Sequence, residues 1–279
     1  MANTRLITVN NWDGANLTQS VGDHEPNLPI ANTQRYNNSR VFRTSTTADI
    51  EILFDWDEPV FLEAFTLWRH NLTSQAQIRI ELFNEAGQTG DLIFDSGLLL
   101  ADVPKNLGDL VWGKDPLGVS TYTNWETATR AIWFDETYVV MSGRLTVSNP
   151  GNPDGYLEVG RIYAGETFSP TINLDLGHVF QWDTDVKAQP TAGGTVHTLE
   201  AATYRRLTFN LSHLSPGDRA EFADLTRTLS THKDFFIALR PGVGGALERD
   251  YSFAAKFEQI PNLKAQATRY ETQCSIREV

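Results

Sequence analysis

Most of this sequence consists of short segments in which hydrophobic and polar residues alternate, each ended by turn-forming residues. In residues 47–54, Ile50, Ile52 and Phe54 fall on one face of an extended chain and Glu51 falls on the other. A period of two is typical of a β-strand, because successive side chains point to opposite faces of a sheet. Strand-like patterning recurs in residues 60–68, 77–83, 92–96, 130–134, 138–147 and 156–164. Seven or eight short strands predict a β-sandwich or jelly roll.

One segment in the second half of the chain has helical periodicity instead. Ser215 followed by Pro216 is typical of a helix start, and Phe222, Leu225 and Leu229 then fall at helical spacing. Strand-like segments surround it at residues 203–211, 234–239, 251–258 and 267–276. We therefore predict a mainly β protein with two domains. Residues 1–164 form an N-terminal jelly roll or β-sandwich, and residues 165–279 form a C-terminal β-rich domain with one packed helix.

Charge and cysteine content exclude several classes of function. The formal net charge of −12 gives a surface that repels phosphate backbones, so nucleic acid is not an expected partner. Membrane insertion is not expected either, because no window approaches the roughly 18 apolar residues of a spanning helix. A single cysteine, Cys274, excludes a disulfide framework and a cysteine-based zinc site. The N-terminal residues lack the pattern of a signal peptide, so we expect the chain to be made in a cytoplasm.

Two stretches of the sequence carry a resemblance to known families. Residues 52–55, 65–72, 78–83 and 95–97 resemble a galactose-binding-like, discoidin-type jelly roll. Residues 151–165, with the sequence GNPDGYLEVGRIYAG, resemble a segment of structural proteins of tailed bacteriophages. Together these stretches span residues 52–165, somewhat under half of the chain. The order of elements in the C-terminal part is similar to domains of phage tail and baseplate proteins.

The resemblance implies a virion component at the distal end of a tail, the tail tip or baseplate. It also implies that other phage tail proteins and copies of the chain itself are the partners. Jelly rolls in that setting serve as assembly modules or as sugar-binding modules, and the fold alone does not choose between them. The localisation expected from the resemblance is the virion tail.

Four consecutive residues at the end of a predicted strand form one candidate contact site: Trp68, Arg69, His70 and Asn71. An aromatic ring can stack on the apolar face of a sugar, and the three polar side chains can bind its hydroxyl groups. The alternative is that Trp68 caps the core. Because aromatic residues in irregular segments favour interfaces, the long loop over residues 103–126 supplies three further candidates, Trp112, Tyr122 and Trp125.

Carboxylate and amide oxygens at two turns are candidate calcium ligands. Asp55 and Asp57 lie in one turn, and Asn152 and Asp154 lie in another. Calcium prefers several oxygen ligands in a small volume, but neither turn has the spacing of a known calcium loop. The alternative is that both are ordinary turns, which are rich in Asp, Asn, Pro and Gly. Apart from calcium, we predict no cofactor.

Nothing in the sequence indicates catalysis. The six histidines are far apart, and no serine has the flanking glycines of a nucleophile elbow. We therefore predict a non-enzymatic protein, and the resemblance to phage tail proteins implies a virion structural component that acts by protein–protein assembly. The alternative is a carbohydrate-binding adhesin that recognises a host surface glycan. A glycan hydrolase with two carboxyl groups across a cleft is the third hypothesis.

Overall fold

The computed structural model describes residues 3–37, 39–123, 125, 127–186, 188–190, 193–198 and 201–279. The chain forms two compact units. Unit 1 contains residues 1–169 and 235–253, and unit 2 contains residues 170–234 and 254–279. The predicted mainly β fold is confirmed. The division differs from the predicted boundary after residue 164, since residues 235–253 join unit 1, where Phe236 pairs with Ile7 of the N-terminal strand.

The described residues contain eighteen strands and two α-helices. The strands are β1 (Arg5–Ile7), β2 (Asn16–Val21), β3 (Phe42–Arg43), β4 (Ile50–His70), β5 (Gln77–Phe83), β6 (Leu92–Asp95), β7 (Leu99–Leu100), β8 (Ala128–Ser148), β9 (Glu158–Gly165), β10 (Thr167–Phe168), β11 (Val179–Thr184), β12 (Ala188–Pro190), β13 (Val196–Thr198), β14 (Thr203–Leu214), β15 (Phe235–Ala238), β16 (Ser252–Phe257), β17 (Lys264–Ala265) and β18 (Tyr270–Glu278). The helices are α1 (Pro216–Leu229) and α2 (Gly245–Asp250). Short 3-10 helices lie at Asn11–Gly14, Ile30–Gln34, Ala86–Gln88 and Leu107–Asp109.

The sandwich of unit 1 is built on two long, bent strands. The sheet order is β3-β9-β4-β8-β5-β6, with β2 beside β4 and β7 beside β5. The rings of Phe54 and Phe65 in β4 lie 6.2 Å apart, although eleven residues of straight strand would separate them by about 36 Å. Strand β4 therefore bends back on itself, and Trp12 packs against both rings at 5.1 and 5.6 Å.

Two strand breaks predicted from the sequence are wrong, because the strands bend at these positions and do not end. The polar run after Phe54 predicted a break over residues 55–59, and likewise a break between residues 134 and 138. Strands β4 and β8 instead continue through these points and pair on both sides of them, with register shifts between Asp55 and Val60 and between Leu62 and Ala64. A bulge inserts unpaired residues and bends a strand without ending it. The polar run therefore lies at a bend within one long strand and not at a turn between two strands.

A second layer covers the outer face of this sandwich. Strand β1 pairs with β10 on one side and β15 on the other. The ring of Phe236 in β15 lies 5.9 to 6.2 Å from the rings of Trp68, Trp133 and Tyr163. Strands buried on both faces lose the alternation of exposed and buried residues, and residues 159–165 of β9 are accordingly all buried.

Unit 2 is a β-sheet with one packed helix. Strand β14 pairs with β11 and β18, and β18 also pairs with β16 and β17. The backbone amide of Asp218 donates to the Ser215 hydroxyl at 3.1 Å, and the Ser215 amide donates to the Asp218 carboxylate at 3.0 Å. This capping box starts α1 where the sequence predicts it. The apolar face of the helix, including Phe222 and Leu229, is buried. Neither helix in the described part of the chain is long and apolar enough to cross a membrane.

Candidate functional site

The long segment between β7 and β8 is an ordered loop whose ends are tied together. The amide of Thr121 donates to the carbonyl of Val103 at 3.0 Å, and the amide of Lys105 donates to the carbonyl of Val119 at 2.8 Å. We call residues 103–123 the contact loop. Because these bonds hold the two ends of the contact loop together, the residues between them form a closed loop.

A single carboxylate organises the tip of the contact loop. One oxygen of Asp115 accepts from the ammonium group of Lys105 at 2.9 Å and from the backbone amide of Val111 at 3.0 Å. The amide of Asp115 donates in turn to the carbonyl of Val111. The Val111 amide, and then Lys105, hold the pKa of the Asp115 carboxyl below its usual range. The turn at Val111 is thus set by Asp115.

This turn displays apolar side chains to solvent. Trp112 is 98% exposed, Leu117 is 82% exposed and Leu107 is 80% exposed, with Val111 also exposed. Folded chains can leave single apolar residues on the surface, but several in one loop are typical of an interaction site. Burying apolar area contributes about 25 cal/mol per Å², so a tryptophan of about 150–250 Å² contributes roughly 4–6 kcal/mol before the costs of association.

The 235–253 segment anchors the base of the contact loop. The Arg249 guanidinium donates to the carbonyl of Thr121 at 2.6 Å and lies 4.9 Å from the centre of the Trp125 ring. The ring of Trp125 packs edge-on against the buried Tyr122 at 5.9 Å. Of the three aromatic residues predicted for contact, Tyr122 and Trp125 therefore hold the loop in place, and Trp112 is the one that the structure leaves exposed.

Beside the contact loop lies a second feature, a groove of about 530 Å³ in unit 1. The Arg5 guanidinium lies 5.8 Å from the centre of the Trp133 ring and donates to the carbonyl of Phe134 at 3.2 Å. We call this cavity the basic groove, because three cationic side chains line it. Its lining includes Arg5, Lys105, Asn106, Arg130, Trp133 and Glu248. The sequence predicts none of these as site residues, since only the fold brings Arg5 next to β8.

The predicted sugar-contact residues at the end of β4 lie mostly in the interior. Trp68 is 3% exposed, and its ring packs against Phe236. His70 is fully buried, and its Nδ1 accepts from the amide of Leu72 at 3.3 Å. Burial, followed by the positive charge of Arg130, lowers the pKa of His70 to about 3, so the ring is neutral at pH 7. Trp68 and His70 thus present almost no surface on which a ligand could stack.

The two neighbouring candidates hold the backbone together. Arg69 has a φ of 57°, at the register shift between Trp68 and His70 in β4. The side chain of Asn71 donates to the Asp154 carboxylate at 2.8 Å and to the carbonyl of Tyr156 at 3.1 Å, and it accepts from the amide of Glu158 at 2.8 Å. These bonds use both the nitrogen and the oxygen of the Asn71 side-chain amide. Trp68, Arg69, His70 and Asn71 do not converge on one open site.

The candidate calcium ligands also have partners within the chain. Asp55 accepts from the amide of Gly87 at 2.6 Å, and Asp57 accepts from the side chain of Asn16 at 3.0 Å. Asn152 donates to the carbonyl of Asn71 and accepts from the amide of Asp154. Among the described residues, no group of three or more His, Cys, Asp or Glu side chains is placed to hold a metal ion. Calcium binding at these turns stays a prediction.

Comparisons with known proteins found solved structures of low similarity to this chain. No family model matches the sequence, and no curated protein matches it. The chitosan-binding module 1 of a chitosanase/glucanase from Paenibacillus sp. IK-5 aligns with a TM-score of 0.41 and 9% identity, over 57% of this chain and 99% of the module. The family 32 carbohydrate-binding module of NanJ from C. perfringens, in complex with galactose, gives 0.37 and 9%, over 58% and 98%.

An enzyme aligns in part as well. A Ruminococcus gnavus GH29 fucosidase in complex with fucose gives a TM-score of 0.38 and 13% identity, over 58% of this chain. The alignment spans only 26% of the fucosidase. With TM-scores below 0.5, these likenesses carry no information on what this chain binds.

Proposed function

We propose that this protein acts by non-covalent association with copies of itself, through the contact loop of unit 1. The observation that carries the proposal is the nearly complete exposure of Trp112 at the tip of an anchored loop. Exposed aromatic residues on an ordered support are typical hot spots, because little conformational entropy is lost when they bind.

A second exposed apolar group supports a copy of the same chain as the partner. Leu92, Leu98 and Leu100 are all exposed and lie on or between β6 and β7 of unit 1. We call them the leucine patch. The loop of one copy and the leucine patch of the next then form a head-to-tail contact. Such contacts close into rings when the rotation between copies allows it.

The setting that the sequence resemblance implies for this assembly is the distal tail of a tailed bacteriophage. The resemblance rests on residues 151–165 and on the order of elements in the C-terminal part. A protein of the tail tip or baseplate contacts copies of itself and other tail proteins. Mass spectrometry of purified virions tests this setting, and a chain that is missing from every particle would contradict it.

Light scattering of the purified chain tests the association itself. We expect a discrete multimer for the wild type and a monomer for Trp112→Ser at the same concentration. Loss of a hot-spot residue costs about 2 kcal/mol or more, which weakens association roughly 30-fold. Val139→Ser is the matched control, since Val139 is also an exposed apolar residue of unit 1. A wild-type monomer at all concentrations, or an unchanged Trp112→Ser multimer, would overturn the proposal.

Carbohydrate recognition is the second candidate function, and the basic groove favours it. The groove combines an aromatic side chain, Trp133, with hydrogen-bonding groups such as Asn106 in a volume within the usual range of about 300–1,000 Å³ for ligand pockets. Screening on a glycan array tests it. Saturable binding that Trp133→Leu abolishes supports this function, and an array without any binding contradicts it.

A further inference from the structure

We infer that the basic groove binds an acidic saccharide, with Arg5 and Arg130 holding its anionic group and Trp133 contacting the sugar ring. The inference rests on the second candidate function and specifies the chemistry of its ligand. The anionic group can be a carboxylate or a sulfate, because a guanidinium binds the oxygens of either in the same forked geometry.

Neither Arg5 nor Arg130 forms an ion pair with a described carboxylate, unlike several other arginines of the chain. Arg43, Arg79 and Arg161 each form an ion pair at 2.5 to 2.8 Å. Arg5 and Arg130 have no carboxylate within 4 Å among the described residues, although both line a groove of a chain with net charge −12. The charge of Arg5 helps to lower the pKa of the Glu63 carboxyl, but Glu63 forms no ion pair with it and accepts from Thr137 and Thr167 instead. A guanidinium without a close ion pair is suited to an anionic ligand.

The other charged groups of the groove do not supply that counter-ion. The carboxylate of Glu248 is buried and accepts from the amide of Gly244 at 2.7 Å. Lys105 is paired with Asp115, so its charge is already compensated. Asp135 is exposed and solvated at the rim. Asp102, which lies outside the lining, has a pKa raised mainly by burial, and the charge of Arg130 opposes that rise.

Two residues of the groove also carry hydrogen-bond donors without a partner in the described protein. Nε of Arg130 and Nε1 of Trp133 are shielded from solvent and have no hydrogen-bond partner in the described protein. Leaving a buried donor without a partner costs about 1–3 kcal/mol. Both residues lie on β8 and line the groove, so a ligand with several oxygen acceptors suits them. A saccharide provides hydroxyl and ring oxygens besides its acidic group.

The 242–245 segment packs closely against the contact loop at the groove. Gly242 and Gly244 adopt positive φ values of 72°. At Gly245 a Cβ atom would come within 2.4 Å of the Asn106 side chain. Glycines therefore allow this segment and the contact loop to approach closely, and the Asn106 side chain lines the groove there.

Isothermal titration calorimetry with trigalacturonic acid and with its methyl ester tests this inference on the full chain. The ester has the same rings without the charge, so we expect at least tenfold weaker binding. Arg5→Gln and Arg130→Lys should each weaken trigalacturonate binding about tenfold or more, because they remove a guanidinium fork. Arg227→Gln, an exposed arginine of unit 2, is the control and should change nothing.

The outcomes separate the inference from the function it rests on. If the acid and its ester bind equally, or if Arg5→Gln and Arg130→Lys leave the affinity unchanged in folded protein, the inference is overturned while carbohydrate recognition stands. If no saccharide binds, both the inference and carbohydrate recognition are contradicted. A sulfated oligosaccharide that binds more tightly than trigalacturonate, with the same dependence on Arg5 and Arg130, supports the inference and identifies sulfate as the preferred group.

Discussion

At the scale of single residues, two titratable groups control local structure in unit 1. Asp115 fixes the turn that carries Trp112, by accepting from Lys105 and from the Val111 amide. His70 is a neutral ring in the interior, close enough to Arg130 for the two charges to repel if it were protonated. The sequence predicts neither role, because each depends on partners that the fold brings together.

Asp115 makes the turn of the contact loop dependent on pH. The pKa of Asp115 is lower in the folded chain than in the unfolded chain. Its contribution to the stability of the folded loop is therefore fully present above the ordinary carboxyl pKa of about 4, and it is lost as pH falls through the lowered pKa. We expect the hydrogen-exchange protection factor of the Val111 amide to fall over that range. In Asp115→Asn it should be low at every pH. Equal protection in the two proteins at pH 7 would contradict this role.

His70 should make unit 1 less stable in mild acid. Its folded pKa of about 3 lies below the ordinary value of 6.5, so the unfolded chain takes up a proton on His70 more readily than the folded chain. The free energy of unfolding therefore has its full value above pH 6.5 and falls as pH falls toward 3. Between pH 6.5 and 5 the loss amounts to about 2 kcal/mol. Denaturant unfolding of wild type and His70→Gln at both pH values measures it. The variant should lack this part of the pH dependence, and identical dependence in both proteins would contradict the assignment.

At the scale of elements, the sequence predicts which segments are strands better than it predicts how they connect. The alternation around Ile52 and Phe54 and the capping residues of α1 are local signals, and both are confirmed. The joining of two predicted strands into β4 depends on pairing with β8, which is not local. The basic groove was missed for the same reason, since Arg5 and Trp133 are 128 positions apart. The sequence does indicate Trp112, because an aromatic residue in an irregular segment is itself a local signal, and its role in contact stays a prediction.

A glycine in β8 permits the close packing at the bend of β4. A Cβ atom on Gly143 would lie 2.3 Å from the ring of Phe54 and 2.8 Å from the carbonyl of Glu81. Gly143→Ala should therefore destabilise the chain by about 1–3 kcal/mol, the usual cost of overpacking a core. Gly14→Ala, where nothing lies within 4 Å, is the control. Thermal unfolding compares the two, and equal melting temperatures would contradict this account of the bend.

At the scale of the whole molecule, the negative charge opposes association while the apolar groups of unit 1 favour it. Copies with a net charge of −12 repel one another over about a Debye length, roughly 10 Å at 0.1 M salt. Added salt screens that repulsion and leaves the burial of Trp112 and the leucine patch intact. An assembly formed by these surfaces should therefore become tighter as salt increases, whereas anion binding in the basic groove should weaken.

The most direct test of the central claim is light scattering of a mixture of two variants, Trp112→Ser and Leu98→Ser. Each variant alone should be monomeric, because each lacks one side of the head-to-tail contact. In the mixture, the intact loop of Leu98→Ser can meet the intact leucine patch of Trp112→Ser, so we expect a species with the mass of two chains and no larger ring. A mixture that stays monomeric while the wild type forms multimers would contradict a contact between the loop of one copy and the leucine patch of the next.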